Sequence, residues 1–284
     1  MISFRYHLAS LLAVLLALAT GIAVGSAALG TAATPTPTAA PAAPSTRALD
    51  DFARAATPKL VRGTLTDERV LLVLAPDAPA ALADALQDQL ELAGGTVAGR
   101  LRLDGTLLDT GESATVDDVV AAVLPEDLAL PETTALDRAA AELGSVLLTT
   151  GGKDADDDVR DSVLGGFSGA DLLDVEKAPS RGATSLLVVT GPGRTARSTQ
   201  LAALVGALEG PRLVVGPVAA AATGGVLSAV RSDSAVSARV STVDGADTAA
   251  GQVAVVLALA EQVDGDVGQY GRAAGAQRAL PDLR

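Results

Sequence analysis

The 284-residue chain has no cysteine and no tryptophan, one histidine, one methionine and only 2% aromatic residues. Without cysteine there can be no disulfide framework, zinc knuckle, iron–sulfur cluster or thiol nucleophile. The single histidine, His7, stands near the N-terminus. Neither a Ser-His-Asp triad nor a histidine metal cluster can therefore form in the body of the protein. The scarcity of aromatics argues against the base-stacking platforms of single-strand nucleic-acid binders. Positive charge is also short: 21 basic side chains face 34 acidic ones, for a net charge of −13. Phosphate neutralisation needs a basic face, so no nucleic-acid partner is expected. Among the basic residues only Lys59, Lys153 and Lys177 are lysines. With so much Ala, Gly, Val and Leu, this usage suggests a high-GC coding bias.

Charge is missing altogether between Arg5 and Arg47, and an apolar run fills the gap from Leu8 to Leu29. As a helix these residues span ~33 Å at about 1.5 Å per residue, enough to cross a bilayer. A lone span in hydrocarbon must satisfy its own backbone, which a helix does. Arg5 and the α-amino group precede the run. The positive-inside rule then places the N-terminus in the cytoplasm and the rest of the chain outside. A lipid bilayer, met through one helix, is thus the first expected partner. A cleaved signal peptide is the alternative, with small residues around Ala28-Leu29-Gly30. Against it, the apolar run exceeds the roughly 7–15 residues of a signal h-region. Either way the body is exported.

Ala17, Gly21 and Gly25 recur every four residues within the run. Such a face lets two helix backbones approach closely and would serve a homo-oligomer. An Ala- and Gly-rich composition produces the same spacing without any contact.

Residues 31–46 read TAATPTPTAAPAAPST, with four prolines and no charge. The segment has nothing to bury, and proline keeps it extended as a spacer of up to ~50 Å at about 3.1 Å per residue. The body that follows, from Arg47, carries every acid and all bases except Arg5, a charge of −14. That charge favours solubility and keeps the body off anionic lipid surfaces.

The body alternates apolar runs with helical patterns. Strands are predicted at Val70–Ala75, Thr96–Leu103, Val146–Thr150, Leu186–Thr190, Leu213–Val218 and Ala238–Val243. Most are continuous Val/Leu runs, as strands buried on both faces require. Helices are predicted at Ala80–Ala93, where Leu82, Leu86 and Leu90 repeat every four residues, and around Thr115–Leu124, Pro131–Leu143, Thr199–Leu208 and Ala249–Val263. The fold class is therefore α/β. An N-terminal transmembrane helix and a Pro/Thr spacer precede a mostly parallel, Rossmann-like sheet flanked by helices. The layout is 1–30 cytoplasmic flank and anchor, 31–46 spacer, 47–264 exported α/β domain and 265–284 C-terminal tail. Pro76 and Pro192 each follow a strand, and Gly94 and Gly210 each end the next helix, so two similar βαβ halves are one reading; coincidence in a Gly- and Pro-rich chain is the other.

No chemical motif nominates an enzyme, a cofactor or a metal ligand. Thr190-Gly-Pro-Gly-Arg-Thr-Ala196 fits G-x-G-x-x-A between a strand and a helix, where a pyrophosphate could sit. Pro192 removes one donor and no acid ends the next strand, so the segment reads as a tight turn. Asp154-Ala-Asp-Asp-Asp158, with Asp161, misses the EF-hand spacing at Val159 and Gly165 and reads as a solvated acidic turn before a short helix. Gly152-Lys153 lacks the flanks of a phosphate loop. Gly166-Phe-Ser-Gly169 lacks the last glycine of a nucleophile elbow, and Ser168 has no histidine to pair with.

The two ends carry a resemblance. Met1-Ile-Ser-Phe-Arg-Tyr-His-Leu-Ala-Ser10 with Leu18-Ala-Thr-Gly-Ile-Ala-Val-Gly-Ser26 at one end is similar to the mycobacterial copper-transport protein B family. So are Ser241-Thr-Val-Asp244, Val255-Val-Leu-Ala-Leu-Ala260 and Gly265-Asp-Val-Gly-Gln-Tyr-Gly271 at the other. The resemblance implies an actinobacterial cell-envelope protein of copper homeostasis that limits intracellular copper, with the outer membrane as one location and envelope proteins as partners. Two features depart from it. A Thr/Pro spacer replaces the family's polar, coiled-coil-like stretch after the anchor, and Gln269 stands where histidine is frequent. Copper chemistry sets a limit as well. Cu(I) prefers Cys and Met and Cu(II) favours His, and none of these occurs after His7. An exported α/β scaffold for envelope assembly, with no direct copper handling, is the alternative reading.

Overall fold

β1 (Arg69–Leu74) reads RVLLVL, and every residue after Arg69 in it is buried. Such a run can only lie in the middle of a sheet covered on both faces. The computed structural model describes residues 44–193 and 196–282, with side chains from Asp50 onward, and places β1 third in a seven-stranded sheet, between two parallel neighbours. The other strands are β2 (Thr96–Leu103), β3 (Leu173–Lys177), β4 (Ser185–Val189), β5 (Arg212–Gly216), β6 (Ser241–Asp244) and β7 (Gln269–Tyr270). Their order is β3-β2-β1-β4-β5-β6-β7. Every pairing is parallel except that of β3 with β2.

Nine α-helices occur among the described residues: α1 (Pro44–Val61), α2 (Ala80–Leu92), α3 (Ser113–Val123), α4 (Ala135–Leu147), α5 (Asp157–Gly169), α6 (Ala196–Ala207), α7 (Val226–Ser232), α8 (Ser234–Ser237) and α9 (Ala249–Val263). From β1 the chain crosses through α2 to β2 on one side, and from β4 it crosses through α6 to β5 on the other. Right-handed crossovers in opposite directions place α2 and α6 on opposite faces. α9 shares the α2 face and lies over β5 and β6. It is buried almost all round and its N-terminus is capped by Thr248, whose side chain accepts from Gly251 N–H at 3.1 Å. On the other face α4 and α6 cover Leu71, Val73 and Leu101 and leave a cavity of about 30 Å³ lined by apolar side chains.

Gly94 and Gly210, at the ends of α2 and α6, both adopt positive φ, +91° and +79°. These are the left-handed turns that let each helix reverse into its next strand. The β1-α2-β2 and β4-α6-β5 units therefore share the same punctuation.

Several expected elements differ. Val146–Thr150 is not a strand. Its first two residues end α4, and Leu148 and Thr150 make only isolated bridges, to Ala183 and Lys153. α4 starts at Ala135, where Thr134 and Asp137 form a capping box, four residues later than Pro131, and its apolar face carries on through Leu147 before Leu148 turns to an extended conformation. The strand expected at Ala238–Val243 begins only at Ser241, because α8 and its turn occupy the residues before it. The acidic turn before Val159 opens a 13-residue helix, α5, rather than a short one. α1 starts at Pro44, inside the segment read as spacer, with proline at a first-turn position that needs no N–H donor. Residues read as a C-terminal tail supply β7. The apolar run Leu8–Leu29, with Ala17, Gly21 and Gly25, lies outside the described residues, as does the spacer up to Ala43. Among the described residues no helix is long and apolar enough to cross a membrane.

Candidate functional site

In a doubly wound sheet the ligand crevice opens at the carboxyl ends of the strands where the strand order reverses. Here that point lies between β1 and β4. Two loops meet there, Ala75–Pro79 after β1 and Thr190–Gly193 after β4. The second is the glycine-rich turn whose sequence fits either a phosphate-type cradle or a plain turn. Its backbone donors are already used. Asp77 accepts from Gly191 N–H at 3.2 Å and from Gly193 N–H at 2.7 Å. A methyl group on either glycine would overlap Asp77. The chain thus seats its own carboxylate on the two glycine amides that an anionic ligand would otherwise use.

The rim of this crevice is acidic and internally bonded. Asp104 accepts from the backbone and hydroxyl of Thr106, which hold its carboxyl below the usual carboxylate range. Asp109 is lowered by Gly111 N–H and then by Arg197 on α6, whose guanidinium it meets at 3.2 Å. Such carboxylates stay ionised but have committed their lone pairs locally.

The remaining sequence candidates are structural as well. In the aspartate run, Asp154 accepts from Thr149 Oγ1 at 2.6 Å, and Asp157 and Asp158 lie in the first turn of α5, where negative charge suits the helix dipole. Asp157 also binds Arg160 at 2.6 Å. Among the described residues no three His, Cys, Asp or Glu side chains converge to hold a metal. Gly166-Phe-Ser-Gly169 closes α5 and is therefore no strand-to-helix elbow.

The motifs near the C-terminus do come together. β6 pairs with β7, Thr242 with Gln269 and Val243 with Tyr270. The Gln269 amide is used on both sides: Oε1 accepts from Thr242 Oγ1 at 2.7 Å, and Nε2 donates to the carbonyls of Ser237 and Val240. It is a buried strut rather than a ligand. Asp244, at the end of β6, is entirely buried and receives Arg272 N–H at 2.8 Å and Ala273 N–H at 3.1 Å. Arg231 of α7 completes the clasp. It donates to Thr242 Oγ1 at 2.8 Å, Asp244 Oδ2 at 3.0 Å and the Tyr270 carbonyl at 2.7 Å. Burial pulls its guanidinium below the ordinary value, and Asp244 opposes that shift. Tyr270 donates its hydroxyl to Glu261, and burial first, then that carboxylate, pushes the phenol up to about 12.

Beside the clasp, a groove of about 610 Å³ opens between the Val218–Thr223 turn, α7 and the loop 273–275. Its walls are small side chains such as Ala221, Ala222, Ser228 and Ala274. Neither Arg231 nor Asp77 is marked by any sequence motif. The one sequence signal for Asp77 is the equal spacing of the turns around Pro76 and Pro192, which the structure brings together.

A match to a known family spans this whole arrangement, from the N-terminal apolar run through the β6–β7 clasp. The family model for copper transport outer membrane protein, MctB, matches residues 1–281. The chain belongs to the MctB family. A search of the curated proteins finds no match. Within the family match lie both the opening motif at Met1–Ser10 and the residues of the Asp244 clasp. The terminal motif Gly265–Gly271 thereby acquires a defined physical role, which is to tie the last strand to β6.

Proposed function

We propose that the chain is a non-enzymatic, membrane-anchored component of the cell envelope that takes part in copper transport and limits intracellular copper. The observation that carries this reading is the family match over residues 1–281. In this reading the bilayer is met through one helix, Leu8–Leu29, with the N-terminus cytoplasmic and the α/β domain outside, in an envelope whose outer membrane the family's description names. Copper is cargo here, not a resident cofactor. The residues after His7 include no Cys, His or Met, so the exported part offers neither the soft sulfur nor the imidazole ligands that copper prefers. Copper therefore passes with the help of other copies or of envelope partners, and nucleic acid has no part in it.

The same donor set favours a second reading, an exported scaffold for envelope assembly whose effect on copper is indirect. A deletion strain separates the two. Copper hypersensitivity and raised cell copper, with unchanged uptake of unrelated dyes and detergents, is the result expected for a copper role. Equal sensitivity to all of them would leave the scaffold. External protease acting on intact cells should cut the α/β domain away from a membrane-retained N-terminus; a mature chain that starts after Gly30 would remove the anchor from the proposal.

A further inference from the structure

α1 lies on the domain along one narrow line. Of its described side chains only Thr57 and Val61, one turn apart, are buried. Nearer its start, Asp50 accepts from Ala249 N–H, at the head of α9, at 3.1 Å. The opposite side of the helix is uncovered and mostly apolar. Phe52 is 72% exposed, whereas Phe167 and Tyr270, the other described aromatics, are buried. At about 100° per residue, Ala55, Ala56 and Lys59 all lie within about 60° of Phe52 around the axis, and Val61 points about 180° away. Leu60, also exposed, continues the strip.

Charge sets this helix apart from the rest of the body. Residues 47–62 carry four basic side chains against two acidic ones, and residues 63–284 carry 16 against 32. The two acids of α1 are already used, since Asp50 and Asp51 both meet Arg54. Arg54 itself lies about 160° from Phe52 around the axis. Lys59 and Arg62 are exposed and make no ion pair among the described residues. A negatively charged surface repels the acidic body and attracts this one basic stretch, so it turns α1 toward itself. A second copy fits the strip less well. Laid alongside in the same direction, it would bring Lys59 against Lys59. A bilayer surface has no such conflict, because phenylalanine enters the headgroup–acyl boundary while a lysine in the same line reaches back to the phosphates.

We propose that α1 is a membrane-surface helix, which seats Phe52 at the headgroup boundary of an anionic bilayer and Lys59 and Arg62 on its phosphates. The inference rests on the reading of Leu8–Leu29 as a membrane anchor. Only residues 30–43 separate that run from α1, which at about 3.5 Å per residue keeps the helix within ~50 Å of the bilayer. A contact too weak to hold a free protein suffices for one tethered at that range.

The test uses the full chain reconstituted into vesicles of phosphatidylcholine and phosphatidylglycerol. The chain has no tryptophan, so Phe52→Trp supplies a single reporter. With lipids brominated near the headgroup end of the acyl chain, its emission should fall by about half or more. Leu124→Trp and Leu280→Trp, at two other exposed leucines, should keep theirs. Adding Lys59→Glu to Phe52→Trp should remove most of the quenching. An unquenched Phe52→Trp, equal quenching at all three positions, or quenching indifferent to Lys59→Glu would overturn the proposal; emission that is blue-shifted but unquenched would make a second copy the occupant instead. An alkaline carbonate wash separates this result from the anchor reading. A chain quenched at Phe52→Trp yet washed off keeps the α1 contact and loses the anchor. A chain that resists the wash without quenching keeps the anchor and loses the contact.

Discussion

Asp77 and Gly193 lie 116 residues apart in the chain and are joined by a hydrogen bond of 2.7 Å from the glycine amide to the aspartate Oδ2. With the companion bond from Gly191, this makes the loops after β1 and β4 a single unit at the carboxyl end of the sheet.

Replacing Asp77 by alanine leaves two backbone donors without their charged acceptor. Charge-assisted bonds of this kind contribute about 1.5–3 kcal/mol each, less where water can replace them. Since Gly193 is partly exposed, the expected loss for Asp77→Ala is about 2–3 kcal/mol. Asp77→Asn, with one acceptor oxygen, should fall between. Urea denaturation of the three proteins measures this, and equal midpoints would show the bonds to be dispensable.

Removing one member of the Arg231–Asp244 pair should cost more. Both side chains are almost wholly buried, and after loss of the arginine the Asp244 charge would be met only by the Arg272 and Ala273 amides. Arg231→Met is expected to lose about 3–5 kcal/mol. Because the same arginine holds the Tyr270 carbonyl, trypsin should also cut after Arg272 earlier than elsewhere in the domain.

Glu142 gives stability a defined pH dependence. Its carboxyl titrates near 4.5 when exposed and at about 7 in the fold. A raised acid is best tolerated where both states are protonated, so the native chain loses stability as pH climbs from the first value to the second. Glu142→Gln should match the native chain in acid and exceed it at alkaline pH by about 3 kcal/mol. Denaturant midpoints against pH measure the difference, and parallel curves would refute it.

The segment from Pro44 onward, produced without the apolar run, should dissolve in plain buffer and give a helical circular dichroism spectrum, since its Val/Leu strands already have helices over both faces. Aggregation relieved only by detergent, with a strand-dominated spectrum, would point to a membrane barrel instead.

Copper titration of that same segment should show no site tighter than micromolar, because carboxylates and carbonyls are poor partners for Cu(I) and no imidazole is present for Cu(II). A stoichiometric submicromolar heat signal would contradict this.

The central strands are legible in the sequence for a simple reason. β1, β4 and β5 are buried on both faces, so they must be unbroken apolar runs, and they read that way. β3 is the opposite case. Of LDVEK only Leu173 is fully buried, since the strand lies on the sheet edge and needs little hydrophobicity. β7 is two residues long and below the reach of any periodicity. Val146 and the leucines after it look like a strand because apolar runs of that length do not distinguish a helix end from a strand. At Thr190–Gly193 the sequence offers Pro192 as its one turn signal. Its occupant, Asp77, is invisible to motif reading, because a contact across more than one hundred residues leaves no local pattern. Glu142 is hidden for a similar reason. An acid one residue from leucine on an amphipathic helix looks solvent-facing, and only tertiary packing, which leaves no local pattern, buries it.

The sheet ends on each side in something that cannot recruit a further strand. On one side lies the antiparallel β3 with Glu176 and Lys177 along it; on the other lies the two-residue β7, bridged at Tyr270 by Arg278. Long, flat, unpaired edges template pairing between copies. Blunt edges matter most when copies are crowded in one orientation, as molecules fixed to a common surface are. Neighbours packed shoulder to shoulder can then meet without their sheets joining edge to edge.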